Sequence, residues 1–413
     1  MGKLTTSAAH SGSQSFTTEA LFEQGMALHQ QGQLKQAKQI YEQVLQQAPK
    51  HFDALRLLGV LELQSGHPLQ ALACIDAAIQ INPNRADAYY DRGVTLFDLK
   101  RFEDAVASYD KAIARDANYA DAYLSRGNAL FTLSKFEEAA QSYERALQIV
   151  PDHAGAYLNR GAALSELQRW ADALDCYNKV IELQPNFVDA LINRGNALYL
   201  LNRLEESIVC FDKVLELSPN HSGALCNRGN VFLSLNCLDQ AQESYDRAVE
   251  LQPEFAAEIH TSKARLILMS ADFERGWPLY EWRWKERSLV DGPKFSKPLW
   301  LGEEDIANKT VLLHAEQGLG DTIQFCRYAK WVKAKGARVV MAVPPALLAL
   351  LEGLDGVDEW VIENQSVPAF DYHCPLLSLP LVMLVSVLLM YKAFSPKISS
   401  SSVSLTGSVS RLS

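Results

Sequence analysis

The sequence lacks the features that mark several classes of protein. Seven cysteines, an odd number, are scattered through 413 residues without a CxxC pair, which argues against a disulfide framework or a zinc site. The net charge of −10 argues against a nucleic-acid partner, because such proteins normally carry a basic stripe. Residues 1–17 have no apolar core of a secretion signal and are expected to be a disordered lead-in. We therefore expect a cytoplasmic protein in a reducing compartment.

One pattern dominates the chain and returns every 34 residues. In each copy a glycine is followed after twelve positions by a small residue and after sixteen by an aromatic residue, or once by isoleucine. A proline ends every copy except one, in which Ala117 stands in its place. The glycines are Gly25, Gly59, Gly93, Gly127, Gly161, Gly195 and Gly229.

The apolar residues of each copy fall in two runs at helical spacing, which predicts a hairpin of two short antiparallel helices. The glycine leaves room for the helices to approach, and we expect the aromatic side chain to fill the space between one hairpin and the next. The residues expected to cap the following helix are Asn84, Asn118, Asp152, Asn186 and Asn220. Those expected to take a left-handed backbone between the helices are Gly32, Gly66, Asn202 and Asn236.

The array resembles the tetratricopeptide repeat of bacterial proteins, in which helix–turn–helix units stack into a right-handed superhelix with a concave face. The resemblance covers residues 18–253 and implies a mainly α fold. A degenerate eighth copy within residues 254–300, with Lys263 in place of the glycine, is expected to cap the solenoid. An aromatic cluster is expected to seal the junction with the next domain. Its members are Trp277, Tyr280, Trp282, Trp284 and Trp300.

Asparagine recurs on the first helix of the later repeats, at two positions that lie three apart and so face nearly the same side. In superhelices resembling that of the protein O-GlcNAc transferases, an asparagine at the first position lines the concave face and clasps the backbone of an extended peptide. A carboxamide suits this role because it both donates and accepts. The alternative is that these are tolerated polar residues on an exposed helix face. The candidates are Asn128, Asn159, Asn193, Asn196, Asn227 and Asn230.

Arginine stands immediately before the repeat glycine in five consecutive repeats. These side chains either contact a ligand or pair with acidic groups inside the array, and we favour pairing. The residues are Arg92, Arg126, Arg160, Arg194 and Arg228.

After residue 300 the periodicity changes. Strands are predicted at Thr310–Ala315, Arg338–Val343 and Glu359–Ile362, with helices at Asp321–Lys335 and Ala346–Leu351. This βαβαβ order predicts a small parallel sheet, and hence an incomplete α/β Rossmann-like half-domain over residues 301–380.

The loop QGLGDTIQF, residues 317–325, places two glycines at a predicted strand-to-helix turn, where a backbone can approach an anion. Together with DYHCPLLSLP at 371–380, it is similar to bacterial proteins that fuse tetratricopeptide repeats to a heptosyltransferase-like, GT-B glycosyltransferase domain. The resemblance implies that Asp321 is the base that deprotonates an acceptor hydroxyl. The alternative makes Asp321 only the N-cap of the helix. The residues expected near an anionic ligand are Gln317, Gly318 and Gly320.

The resemblance stops near residue 380, so we expect the half that binds a nucleotide-sugar donor to be missing. We accordingly expect no cofactor in this chain and no transferase activity from it alone. The tail, residues 381–413, is apolar and then rich in serine. It is either part of a membrane span over 374–391, whose 18 residues carry no charge, or the product of a frame change, which we favour.

These patterns predict a protein–protein interaction scaffold that binds a protein or extended peptide in the concave groove and carries a truncated glycosyltransferase-like region. The alternative is a glycosyltransferase whose protein or glycan acceptor is recruited by the repeats. We expect no nucleic-acid partner, and a membrane only through residues 374–391.

Overall fold

The computed structural model describes residues 17–252, 257–285, 295–316, 318–363 and 365–385. They divide into two compact units, one ending at Pro219 and the other beginning at Asn220. The first unit is a series of helical hairpins, and the second combines two further hairpins with a parallel sheet. The predicted mainly α fold is thus confirmed.

Each hairpin of the first unit pairs a helix of 13 residues with one of 14 residues. The two apolar runs of each repeat therefore form the two helices, as predicted. The helices are α1 (Thr18–Gln30), α2 (Leu34–Gln47), α3 (Phe52–Gln64), α4 (Pro68–Ile81), α5 (Ala86–Asp98), α6 (Phe102–Arg115), α7 (Ala120–Thr132), α8 (Phe136–Ile149), α9 (Ala154–Glu166), α10 (Trp170–Leu183), α11 (Val188–Leu200) and α12 (Leu204–Leu217).

The turn inside each hairpin contains one residue with a left-handed backbone. Gly32 and Gly66 have φ of 73° and 79°, and Asn202 and Asn236 have φ of 59° and 58°, which confirms the prediction. The same position holds non-glycine residues elsewhere, namely Lys100, Ser134 and Gln168, each with φ of 58°. The repeat therefore imposes this conformation on any residue at the position, and glycine or asparagine only makes it less costly.

The predicted asparagine and aspartate caps are wrong by one residue. Proline and the residue after it form a two-residue turn, so the N-cap is the next residue along, as at His153. The ring Nδ1 of His153 accepts a hydrogen bond from the Ala156 N–H at 3.0 Å. His51 and His221 make the same contact at 3.1 and 3.0 Å. Histidine thus caps the helices that follow Asp152 and Asn220. The N-caps after Asn84, Asn118 and Asn186 make no capping hydrogen bond with their side chains.

The repeat glycine and the aromatic residue sixteen positions later pack against each other within one hairpin. A methyl group at Gly127 would lie 2.5 Å from Cε1 of Tyr143, whose side chain is fully buried. The ring also belongs to a buried cluster with Ala163 and Leu164 of the next hairpin. The ring therefore packs between two hairpins, as predicted. It also packs against the glycine of its own hairpin, which was not predicted.

The second unit begins with two more hairpins and continues into alternating strands and helices. In the short 3₁₀ segment Glu281–Lys285 the chain leaves the last hairpin. The elements are α13 (Ser222–Ser234), α14 (Leu238–Leu251), α15 (Ala257–Met269), α16 (Phe273–Tyr280), β1 (Thr310–His314), α17 (Leu319–Phe325), α18 (Ala329–Ala334), β2 (Arg338–Val343), α19 (Pro345–Leu351), β3 (Glu359–Ile362) and β4 (Tyr372–Pro375).

The sheet has four parallel strands in the order β3-β2-β1-β4. The three predicted strands are confirmed, but β4 was not predicted, because its sequence YHCP has no apolar run. Alternate residues of β1 fall into two apolar clusters, Val311 and Leu313 into one and Leu312 into the other. Both faces of β1 are therefore buried, as is usual for a central parallel strand.

The eighth hairpin and the sheet share one apolar core. Tyr280 of α16 and Trp300 are buried in the same cluster as Val311 of β1. Trp277 lies edge-on to Phe325 of α17, with ring centroids 6.1 Å apart. These three aromatic residues lie where the repeats meet the α/β part, as expected for a junction.

Residues 379–385, at the start of the tail, form a helix whose Leu379 and Val382 are buried in that same core. A methyl group at Gly302 would lie 2.8 Å from the Val382 carbonyl oxygen, so the chain packs closely here. Across the described residues, no helix combines the length and the apolar composition that crossing a bilayer requires. Most of the tail, residues 386–413, lies outside the described residues.

Candidate functional site

Cavities recur along the first helices of the first unit. We call the surface formed by α1, α3, α5, α7, α9 and α11 the first-helix groove. Four of its cavities have volumes of about 410, 200, 350 and 440 Å³. In chain order they lie between α1 and α3, α5 and α7, α7 and α9, and α9 and α11. Each is lined by one of the buried repeat tyrosines Tyr41, Tyr109, Tyr143 and Tyr177.

Four candidate asparagines line these cavities. Asn128 and Asn159 line the cavity of about 350 Å³, and Asn193 and Asn196 line that of about 440 Å³. These four residues are half-buried. The structure thus brings these carboxamides together in the groove, and their role in peptide binding stays a prediction.

Two of these carboxamides are joined by a hydrogen bond across the groove. Asn159 Nδ2 donates to Asn128 Oδ1 at 3.0 Å, and the Tyr143 hydroxyl donates to the same oxygen at 2.9 Å. This network joins α7 and α9, which are first helices of consecutive repeats. It also includes the Tyr143 ring of α8, which closes the hairpin of α7 and α8. The Asn128–Asn159 contact uses one N–H of Asn159, and a carboxamide carries a second N–H and an acceptor oxygen.

The two remaining candidates lie in the second unit, on α13. Asn227 and Asn230 are half-buried, and Asn230 Oδ1 accepts a hydrogen bond from the Tyr245 hydroxyl at 2.7 Å. This contact repeats the one between Tyr143 and Asn128. Two hairpins thus use the tyrosine hydroxyl to hold the asparagine, whereas the hairpin of Asn196 has Phe211, without a hydroxyl, at the tyrosine position.

Charged side chains line the first and the last of these four cavities. Arg56, which lines the first cavity, pairs with Asp87 at 3.3 Å and with Asp91 at 2.7 Å. Burial raises the pKa of the Asp91 carboxyl, and Arg56 opposes that effect. Glu166 lines the last of the four cavities. The residues that line the two cavities between them are uncharged and include the hydrogen-bonding side chains of Asn128 and Asn159.

Three of the arginines that precede a repeat glycine pair with an acidic residue inside the array, which confirms for them the interpretation favoured from the sequence. They are Arg92, Arg126 and Arg160. Arg126 Nε donates to Asp110 at 2.6 Å, and its Nη1 donates to the Ser142 hydroxyl, also at 2.6 Å. These partners stand sixteen residues before and after it, on two successive second helices, α6 and α8. Arg92 and Arg160 also contact an acidic residue sixteen positions before them and a polar residue sixteen positions after them. Arg194 donates instead to the neutral Asn178 and Cys210, and Arg228 reaches Ser244 in the second unit.

Two aromatic residues of the groove were missed by the sequence analysis. Phe97 and Phe131 occupy the same position in consecutive repeats and line the cavity between α7 and α9. Each is held edge-on by a phenylalanine that begins its own second helix, Phe102 or Phe136, with ring centroids 5.2 Å apart. Their recurrence at the 34-residue period was a signal that could have identified them.

In the second unit, the glycine loop follows β1 as predicted. Gly318 is the N-cap of α17, and Asp321 lies in the first turn, so the alternative that made Asp321 the N-cap is wrong. Asp321 is half-buried, whereas Gly318 and Gly320 are exposed. Gln317 lies outside the described residues. The catalytic role proposed for Asp321 stays a prediction.

A buried ionic network near this loop was not predicted. The Arg283 guanidinium, fully buried, pairs with Glu281 at 2.7 Å and with Glu316 at 2.8 Å, and also donates to the Ser378 hydroxyl. Burial raises the pKa of Glu316 to about 7, although Arg283 opposes it. The network ties the end of the eighth hairpin to the end of β1, which indicates a structural role.

Two histidines lie close by, on adjacent strands. His314 Nε2 is 3.2 Å from His373 Nδ1, and burial lowers the pKa of His314 to about 4. In the part of the chain that the structure describes, no group of three potential ligands gathers to hold a metal ion.

Stacked hairpins of this kind define an α-helical repeat protein, here with a row of cavities along its first helices. Family models of the tetratricopeptide repeat match residues 28–92, 90–154, 154–187, 188–221 and 223–255. These matches together cover more than half of the chain, which therefore belongs to the tetratricopeptide repeat family. They end at residue 255, so the heptosyltransferase-like resemblance stays a prediction.

Three solved structures are similar to the chain, and the first of them, with a TM-score above 0.5, has the same fold. The C-terminal part of a tetratricopeptide repeat protein from Cytophaga hutchinsonii is 15% identical, with a TM-score of 0.51 over 58% of this chain and 98% of that one. YrrB, described as having an unusual peptide-binding site, is 28% identical over 46% of this chain and 97% of its own, with a TM-score of 0.42. Pseudomonas aeruginosa PilF is 23% identical over 52% and 97%, with a TM-score of 0.44. No curated protein matches the chain.

Proposed function

We propose that this protein is an interaction scaffold that holds an extended peptide segment of a protein partner in the first-helix groove. Members of the tetratricopeptide repeat family generally bind protein partners, which supports the scaffold role. The observation that carries the finer proposal is the row of half-buried carboxamides of Asn128, Asn159 and Asn193 in consecutive cavities.

Carboxamides at this spacing suit a peptide backbone. A carboxamide can donate to a carbonyl and accept from an N–H of the same peptide, so recognition does not depend on the partner's charges. Asn128 can only donate, because its oxygen already accepts from Asn159 and Tyr143. The Tyr143 hydroxyl and Asn159 hold Asn128 in place before any partner arrives, which reduces the entropy lost on binding. A net hydrogen bond contributes about 1 kcal/mol, or about a fivefold change in affinity.

The test uses the full chain and a displayed library of random peptides. Peptides selected on the wild type are labelled, and their dissociation constants are measured by fluorescence anisotropy for the wild type, Asn159→Ala and Asn193→Ala. Gln141→Ala is the matched control, because Gln141 is an exposed carboxamide on α8, a second helix. We expect each groove variant to weaken binding about fivefold and the control to leave it unchanged.

The proposal fails if the selected peptides bind both groove variants as tightly as the wild type. It also fails if no peptide is enriched on the wild type over the triple variant Asn128→Ala, Asn159→Ala, Asn193→Ala. Far-UV circular dichroism of each variant separates loss of binding from loss of folding.

The transferase alternative depends on Asp321, which follows the carboxyl end of β1, the edge where parallel sheets bind ligands. Its test is direct exposure of the chain to a panel of sugar nucleotides, with donor hydrolysis or transfer measured for the wild type and Asp321→Asn. Turnover that is lost in Asp321→Asn supports this role. Absence of donor binding at millimolar concentration leaves the interaction scaffold alone.

A further inference from the structure

The cavity between α9 and α11 is lined differently from the other three. It is the largest of the four, at about 440 Å³, and a carboxylate, an indole and carboxamides line it together. These groups belong to Glu166, Trp170, Asn193 and Asn196. The cavity between α1 and α3 also has a charged residue, Arg56, but two aspartates already pair with that guanidinium. The charge of Glu166 is therefore the one to examine for a partner.

The carboxylate of Glu166 is exposed, and no neighbouring cation balances it. Arg169, the nearest basic residue along the chain, pairs instead with Asp172 at 2.7 Å and with Glu137 at 3.7 Å. Among the described residues, none forms an ion pair or a side-chain hydrogen bond with Glu166.

The negative potential of this carboxylate acts inside the cavity. Burial raises the pKa of the Tyr177 hydroxyl, which lines the cavity, and the charge of Glu166 adds to that rise. Glu166 is also the last residue of α9, and the carbonyl end of a helix carries a partial negative charge of its own. A positive group of a partner is therefore favoured here.

The indole of Trp170 is a second feature that favours a cation. In the preceding hairpin, Phe136 begins the second helix and contacts the Phe131 ring edge-on. The hairpin of α9 and α10 has Trp170 and Ser165 at those two positions, so the indole has no aromatic partner there. Trp170 is half-buried, and within the described part of the chain it makes no ring contact and no cation–π contact. Tryptophan is the aromatic side chain that binds a cation most strongly.

The carboxamide of Asn193 supplies a third group. In the neighbouring cavity the equivalent Asn159 donates to Asn128, but here Ala162 stands in the place of Asn128. No described residue forms a hydrogen bond with the Asn193 side chain. Its oxygen can therefore accept from the N–H groups of a cation.

We propose that the cavity between α9 and α11 binds an arginine or lysine side chain of the partner peptide. The Glu166 carboxylate is the counter-ion, the Trp170 indole lies against the cation, and the Asn193 oxygen accepts a hydrogen bond from it. The two middle cavities, which uncharged residues line, add no preference for charge. This inference rests on the proposed peptide-binding function and adds the type of side chain that the groove selects.

The experiment repeats the peptide selection on three forms of the full chain, wild type, Glu166→Gln and Glu138→Gln. Glu138 is an exposed carboxylate on α8, a second helix, so its variant changes the net charge equally. It controls for the general attraction of basic peptides to a chain of net charge −10. Arginine or lysine should be enriched at one peptide position on the wild type and on Glu138→Gln, but not on Glu166→Gln.

Dissociation constants of one selected peptide then measure the coupling. Replacement of its basic residue by glutamine should weaken binding to the wild type about fivefold, from the ion pair and the cation–π contact together. The same replacement should change binding to Glu166→Gln less than about twofold. Trp170→Leu keeps apolar bulk but removes the indole, and should weaken binding of the basic peptide about threefold and that of the glutamine peptide hardly at all.

Selected peptides without a basic position would overturn the inference. So would an equal loss from the peptide replacement on the wild type and on Glu166→Gln, or disappearance of the basic position from the Glu138→Gln pool as well. If those peptides still depend on Asn159 and Asn193, the groove remains the binding site and only the choice of side chain is wrong. A wild-type selection that enriches no peptide removes peptide binding itself, and this inference with it.

Discussion

Replacement of Gly127 by alanine tests the packing that shapes the groove. The added methyl group would lie 2.5, 2.7 and 2.9 Å from three ring atoms of Tyr143, well inside ordinary contact distance. The ring is fully buried, and its hydroxyl is bound to Asn128 at 2.9 Å, so it cannot move aside without loss. Either α7 must therefore move away from α8, or the Tyr143 ring must leave its buried position.

The expected magnitude follows from two opposing terms. Overpacking of a core typically costs about 1–3 kcal/mol, whereas alanine in place of glycine favours a helix by about 1 kcal/mol. We predict a net loss of about 1 kcal/mol in the free energy of unfolding of the full chain. Urea denaturation followed by far-UV circular dichroism measures it.

A double-mutant cycle with Tyr143→Ala isolates the clash. Once the ring is removed, Gly127→Ala should stabilise the chain by about 1 kcal/mol, the helix-propensity term alone. Gly320→Ala is a control in open space, because no atom lies within 4 Å of its added methyl group. If Gly127→Ala has the same effect with and without the Tyr143 ring, the reasoning from ring contact is refuted.

Three further predictions concern single contacts. Arg126→Lys cannot keep both of its hydrogen bonds and should lower stability by about 0.5 kcal/mol in urea denaturation, whereas Arg203→Lys, in an exposed pair, should change nothing measurable. His153→Ala should cost about 1 kcal/mol by loss of a helix cap, and His153→Asn should restore it. Because burial raises the pKa of Glu316 to about 7, the folded state binds the extra proton between pH 4.5 and 7. The Glu316 contribution to stability therefore falls as pH rises through that window, and Glu316→Gln should remove this fall in unfolding experiments across pH.

The repeat architecture could be predicted from the sequence because every element of it is local and recurs. The spacing from glycine to the aromatic residue, the two helical runs and the terminal proline recur in nearly every copy, so no long-range contact had to be guessed. The helix caps failed because the turn at Pro83 and Asn84 takes one residue more than the pattern suggests. The N-cap there is Arg85, which makes no capping side-chain hydrogen bond, whereas His51, His153 and His221 accept from the helix N–H groups at the equivalent position.

The second unit was predicted less completely because its contacts are distant in sequence. The strand β4 pairs with β1 across about sixty residues, and neither its length nor its composition marks it as a strand. Arg283 meets Ser378 from 95 positions away, and no motif joins them. Within the groove, the hydrogen bond between Asn128 and Asn159 was accessible in principle, because the two positions recur in consecutive repeats.

Site-specific photo-crosslinking tests the central claim, that a partner peptide lies in the first-helix groove. A photoreactive amino acid at Ala162, which lines two of the cavities, is compared with the same residue at Gln141 on a second helix. A peptide selected on the wild-type chain should crosslink from position 162 and not from position 141, as measured by mass spectrometry. Crosslinking from position 141, or none from position 162 with the peptide bound, would contradict the account.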